Sequence, residues 1–87
     1  MEAVKPREQM TRNELVSFIL RQCALLCDPK HGHLKSLAAV IDTHEVTLSV
    51  WISQGYVPMH QVRKLQKKFG KKNAPLDDLC PVEFRRN

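Results

Sequence analysis

Cys23, Cys27, His31 and His33 are the first residues whose types suggest chemistry, spaced C-x3-C-x3-H-x-H. Thiolates and imidazoles ligate zinc, but this spacing fits no common structural zinc site, and both cysteines fall on an apolar helical stripe. Buried thiols beside solvated loop histidines account for the same residues more simply, so no metal is expected. The sequence contains no glycine-rich phosphate loop. Its serines, histidines and cysteines stand in no recognisable nucleophile setting, and Cys80 before Pro81 suits a packed tail. Neither an enzyme nor a cofactor is expected.

A second set of residues suits the matching of donors, acceptors and methyl groups on another molecule. Glu45, Val46, Thr47, Ser49 and Val50 share the outward side of a short helix, about Glu45–Ser53, whose inward side carries Leu48, Trp51 and Ile52. Ahead of it, Leu34–Ile41 has an apolar face of Leu37, Ala38, Val40 and Ile41 at helical spacing. Asp42-Thr43-His44 joins the two, with side chains able to bond amides at the start of the second helix. Asp42 and Glu45 also have the spacing of a reciprocal cap. Ala38 is small enough for two helices to cross steeply over a short turn.

That pattern is a helix-turn-helix, whose second helix enters the major groove of DNA. By position, Glu45, Val46 and Ser49 lead as base-reading candidates, with Thr47 and Val50 beside them. Glu45 can accept from a cytosine amino group, and Val46 or Val50 can touch a thymine methyl. Glutamate is otherwise unfavourable beside phosphates, so Glu45 either reads a base or only caps its helix. Phosphate contacts belong to the rim. Lys35 and Ser36 open the first motif helix, whose amides favour an anion; His44 opens the second. Gln54 and Tyr56 lie in the turn after it, and His60, Gln61 and Lys64 follow on the next helix. Lys67, Lys68, Lys71 and Lys72 add a broader field.

The stretch LAAVIDTHEVTLSVWISQGYVP resembles the Cro and YdaS-like group of phage and prophage repressors, of the lambda-repressor-like type. There the helix pair reads Leu-Ala-x-x-Leu-Gly-Val-Ser-x-x-x-Val-Ser-x-Trp, followed by a glycine and Val/Ile-Pro. Leu37, Ala38, Ile41, Leu48, Ser49, Trp51, Gly55, Val57 and Pro58 match. The segment Leu76–Phe84 resembles the group's "-ELRP-x-(I/V)-(F/W)" ending. Two positions depart: Asp42 stands where the turn glycine usually sits, and Thr43 replaces an apolar residue. Aspartate tolerates left-handed backbone better than most residues with a Cβ, so the turn is expected to form under some strain. The resemblance covers Leu34 to Phe84 and implies a repressor that binds double-stranded operator DNA.

The supporting elements can be placed from the same sequence. Residues 1–10 contain Pro6 and read as a loose arm, leaving 11–87 as the domain. Thr11 and Glu14 have capping-box spacing, so a helix should start near Arg12 and run to about Leu26 or Cys27. Leu15, Phe18, Ile19, Gln22, Leu26 and, on one flank, Cys23 form its core-facing stripe, widened by Val16, Leu20, Ala24 and Cys27. Asp28 to His33, with Pro29 and Gly32, makes a turn. Gly55 suits a helix end and Pro58 the start of a fourth helix reaching Phe69, closed by Gly70. Pro75–Leu79 forms a last short helix. Leu76, Leu79, Val82 and Phe84 pack back onto the domain, and Val82–Phe84 is a candidate extended segment.

The expected fold is therefore all-α: one small domain of about five helices with a central helix-turn-helix. Eighty-seven residues suffice for one modest core, and 43% hydrophobic with 26% charged residues is ordinary for a folded chain. The net charge of +5 is uneven: residues 1–29 are neutral, 30–72 carry +6 and 73–87 carry −1. The excess lies on and beside the helix pair, where a phosphate-binding surface needs it. No apolar run approaches the roughly 18 residues of a membrane span, and the start lacks the apolar core of a secretion signal. Three cysteines without framework spacing suit a reducing, cytoplasmic setting. One recognition helix is too small a contact for useful specificity, so a homodimer on a palindrome is expected, with half-sites about 34 Å apart or a multiple. The surplus face of the first helix and the Val82–Phe84 tail are the two candidate dimer surfaces. RNA polymerase is a further candidate partner, and a protein-binding module of the same fold is the alternative function.

Overall fold

The computed structural model describes residues 9–85. Five α-helices follow one another: α1 (Arg12–Cys27), α2 (Leu34–Val40), α3 (Glu45–Gln54), α4 (Met59–Phe69) and α5 (Leu76–Leu79), then a 3-10 turn over Val82–Phe84. The fold is all-α, and no strand occurs among the described residues. The extended segment expected over Val82–Phe84 is thus a helical turn, and Val82, expected to pack inward, is 73% exposed. Pro81 launches that turn as it would any helix start, by fixing φ near the helical value. Most of the expected loose arm, residues 1–8, lies outside the described residues; Met10 packs against the core. Among the described residues, no helix is long and apolar enough to cross a membrane.

α1 starts as its sequence dictates. Thr11 Oγ1 accepts from the Glu14 amide at 3.2 Å, and the Glu14 carboxylate accepts from the Thr11 amide at 3.0 Å, closing the capping box. Its rotation differs from the expected one. Leu15 and Ile19 are buried as expected, but Val16, Leu20, Cys23 and Ala24 form the deepest stripe, whereas Gln22 is exposed and Leu26 is 55% exposed. Apolar residues flank both sides of this helix, so the three-four rhythm fits two rotations. Cys23 is small enough for the segment around Asn73 to approach, and its thiol donates to the Asn73 carbonyl at 3.6 Å. Burial, and then the neighbouring Cys27, push the Cys23 thiol up to about 11.

The core is shared by every helix. Leu20, Leu37, Leu48, Val57, Val62, Leu65 and Leu79 are fully buried, with Trp51 at 3% beside them. Burying a leucine contributes about 1.5–3 kcal/mol relative to leaving it in water, so this one cluster supplies the apolar driving force of the domain. α4 closes as predicted: its basic face stays in solvent, Val62 and Leu65 turn inward, and Gly70 ends it at φ +87°. Asn73 Nδ2 then donates to the Phe69 carbonyl and Gln66 Nε2 to the Ala74 carbonyl, pinning the following turn.

Candidate nucleic-acid interface

The link between α2 and α3 is built on a left-handed residue. Asp42 has φ +56°, the one positive φ outside glycine among the described residues. The Thr43 amide donates to the Ala38 carbonyl at 2.8 Å and the Asp42 amide to the Ala39 carbonyl at 3.3 Å. Together these make a Schellman closure, which requires left-handed backbone at the position Asp42 occupies. Ala38, at 3% exposure, lies under that closure. The reciprocal cap expected from Asp42 and Glu45 does not form. His44 is the N-cap of α3, and no side chain bonds its first amides. A residue held left-handed at the end of α2 is committed to that closure, which leaves capping of the next helix to backbone alone.

α3 is anchored from behind and from its far end. Leu48 and Trp51 are buried; Ile52, expected inside, is only half-buried because it lies at the rim of a groove with Met10 and Phe18. Gly55 ends the helix at φ +85°. Its last carbonyls are then collected by α1. Asn13 Nδ2 donates to the carbonyls of Ile52 and Ser53 at 2.6 and 2.8 Å. Arg12 Nε donates to the Gly55 carbonyl at 3.1 Å, and Arg12 Nη2 to the Asp78 carbonyl at 2.6 Å. Sequence reasoning missed both residues, since only their place in the first turn of α1 was visible. Donor side chains at a helix C-terminus satisfy carbonyls that lack partners, and a guanidinium also suits the negative end of the dipole.

The outward face of α3 carries Glu45, Val46, Ser49 and Val50, all exposed, with Val46 at 73% and Val50 at 50%. Thr47, expected on the same face, is half-buried, because α3 turns it toward the body of the domain. Ser49 Oγ lies 3.5 Å from the Glu45 carbonyl, a local bond that an outside partner can replace. Glu45 shares a cleft with Arg21, His31, His33 and Lys35. This acid therefore stands among cations contributed by α1 and by the start of α2.

The rim residues divide into groups. Lys35 lies in the Glu45 cleft, but Ser36 is engaged elsewhere: its hydroxyl donates to Asp28 Oδ2 at 3.3 Å. Asp28 also accepts from the His31 and His33 amides, and the His33 ring stands 3.6 Å away. Partial desolvation raises the Asp28 pKa, but the bonds from the two amides and the hydroxyl outweigh it and hold the carboxyl below its ordinary value. The start of α2 thus has an anion within the chain, and a phosphate at Ser36 would meet Asp28.

Gln54 Nε2 donates to the Tyr56 carbonyl at 2.9 Å, and the Tyr56 ring stacks on Phe84 at 4.8 Å between centroids. The Arg12 guanidinium lies over the Phe84 ring, 5.8 Å from its centroid. His60 borders the same cleft as Tyr56 and Phe84, and also a second one with Arg63, Lys64, Gln66, Lys67 and Lys71. Gln61 donates toward His60, and its Oε1 is buried without a hydrogen-bond partner. His44 and Lys64 are exposed. Tyr56, His60 and Lys64 are therefore linked along one edge, while Lys35 belongs to the separate Glu45 cleft. No metal-binding group of three or more His, Cys, Asp or Glu occurs among the described residues.

No protein-family model matches the chain, and no curated protein or solved structure matches it either.

Proposed function

We propose that the protein is a sequence-specific, double-stranded-DNA-binding transcriptional regulator in the manner of Cro-like phage or mobile-element repressors, without catalytic activity and working in the cytoplasm. The observation that carries this reading is the outward face of α3, where Val46 and Val50 stand exposed one turn apart on a helix held from behind and at its end. Two exposed branched side chains flanked by Glu45 and Ser49 offer methyl contacts and hydrogen bonds together, the combination that distinguishes bases in the major groove. The chain also contains no acidic residue from Val46 to Leu76, while that stretch holds six basic ones. Such a balance favours approach to a polyanion.

In this mechanism α3 enters the groove with its N-terminus leading, and Lys35, Tyr56, His60 and Lys64 meet the backbone. A homodimer places two such helices on a palindrome. Both candidate dimer surfaces keep apolar side chains in solvent: Leu25 and Leu26 on α1, though Val16, Leu20 and Ala24 of its expected surplus face are buried, and Val82 in the tail. Occupying an operator that overlaps a promoter then excludes RNA polymerase sterically. The exposed valines equally suit an apolar protein partner, so a protein-interaction module is the second reading. Binding to DNA from upstream of its own gene, measured across a salt series, separates them. Selective binding that weakens steeply with salt is expected; weak binding, equal on any duplex, would sink the repressor reading. Within it, Val46→Ala with Ser49→Ala should relax base preference, whereas Lys35→Ala should weaken all sequences alike and lower the salt slope by about 1.

A further inference from the structure

The geometry points to the outer face of α4 and the turn after it as a sequence-independent DNA-backbone-binding ridge, extending beyond the duplex segment that α3 would read. It rests on the DNA-binding reading and deepens it by assigning defined contacts to Arg63, Lys67, Lys68, Lys71 and Lys72.

All five are exposed, as is Lys64. Arg63, Lys64 and Lys67 with His60 and Lys71 line one open cleft along the helix. Lys64, Lys67 and Lys68 line a second, against Val40, Ile41 and Asp42 at the turn that launches α3. Asp42 is the one carboxylate bordering either cleft. The ridge therefore borders the turn between α2 and α3 through Lys64, Lys67 and Lys68, and continues past the end of α4 to Lys71 and Lys72.

Its spacing has a cost and a match. Arg63 with Lys67 and Lys64 with Lys68 are like charges four residues apart, an arrangement that destabilises an isolated helix. The helix dipole accounts for Lys67 and Lys68 in the last turn but not for Arg63 and Lys64 farther back. An anion alongside relieves both pairs. Each four-residue step advances about 6 Å along the helix, close to the advance of about 7 Å over two nucleotides of one strand. A phosphodiester backbone fits such a row better than an acidic protein does. Lysine is depleted from protein interfaces, whose cores favour aromatic residues, and the ridge offers no aromatic side chain as an anchor.

The test uses the full chain and a random-sequence 30-bp duplex, with Lys67→Gln/Lys68→Gln/Lys71→Gln against the wild type. The slope of log affinity on log salt should fall by about 0.9 for each lost contact, about 2.7 for three. The corresponding triple arginine variant should keep the wild-type slope, and thermal melting should show all three proteins folded. An unchanged slope in the glutamine variant would overturn the ridge, as would tighter binding of the wild type to poly-glutamate than to the duplex. Base selection is read separately, by comparing upstream DNA with the random duplex. Loss of slope without any selectivity would leave the ridge standing and remove the repressor reading.

Discussion

Asp42 shows how a single side chain can be tolerated where glycine is the natural choice. At φ +56° a residue with a Cβ is strained, and aspartate bears this better than a branched residue. Asp42→Gly should raise stability by about 0.5–1 kcal/mol, and Asp42→Val should lower it by about 1–2 kcal/mol, both measured by denaturant unfolding. A less stable glycine variant would mean that the aspartate side chain contributes more than its backbone costs. Gly55 has less latitude. A Cβ there would stand 3.0 Å from the Arg12 Cβ, on backbone at φ +85°. Gly55→Ala should therefore cost about 1–3 kcal/mol by the same measurement, through strain and displacement of Arg12. The left-handed character of both positions was legible beforehand, Gly55 from its type and Asp42 from standing where a turn residue must be.

Among the elements, α1 has two jobs that its sequence disclosed unequally. Its start was readable because Thr11 and Glu14 bond within one turn, and Thr11→Ala should cost about 1 kcal/mol. Its second job, ending α3, depends on Asn13 reaching Ile52 and Ser53, and Arg12 reaching Gly55 and Asp78. No local pattern announces a donor whose acceptor lies some forty residues away. Asn13→Ala should cost about 0.5–1.5 kcal/mol and speed amide exchange in the last turn of α3, which Thr11→Ala should leave alone. The rotation of α1 was illegible for another reason: Val16 and Leu20 on one side and Phe18 and Leu26 on the other are similar in apolar character. The packing of α1 against α2, α3 and α5 decides the rotation, and the Asn73 carbonyl meets the Cys23 thiol on the buried side. On α3 the face was mostly readable, since Leu48 and Trp51 fix it, and the errors fell at its margins, Thr47 and Ile52.

At the scale of the whole molecule, pH should act at both extremes through groups joining separate segments. Asp28 has a depressed pKa, so its contribution is present above the ordinary aspartate value of 3.8 and is lost as pH falls below it. Asp28→Asn should flatten that part of the acid unfolding profile. Cys23 is the reverse: its raised pKa contributes fully below 9.0 and is lost as pH rises toward about 11. Cys23→Ala should weaken the stability decline in that alkaline window, followed by unfolding at fixed salt. Arg12 reaches farthest of all, since its guanidinium joins the chain's early residues to Asp78 and stacks over Phe84. During synthesis those partners leave the ribosome well after α3 has done so. Arg12, which helps end α3 through Gly55, is thus fully seated only after Phe84 has emerged. A nascent chain, or one truncated before Asp78, would carry the residues of the reading face with that brace held at one side alone.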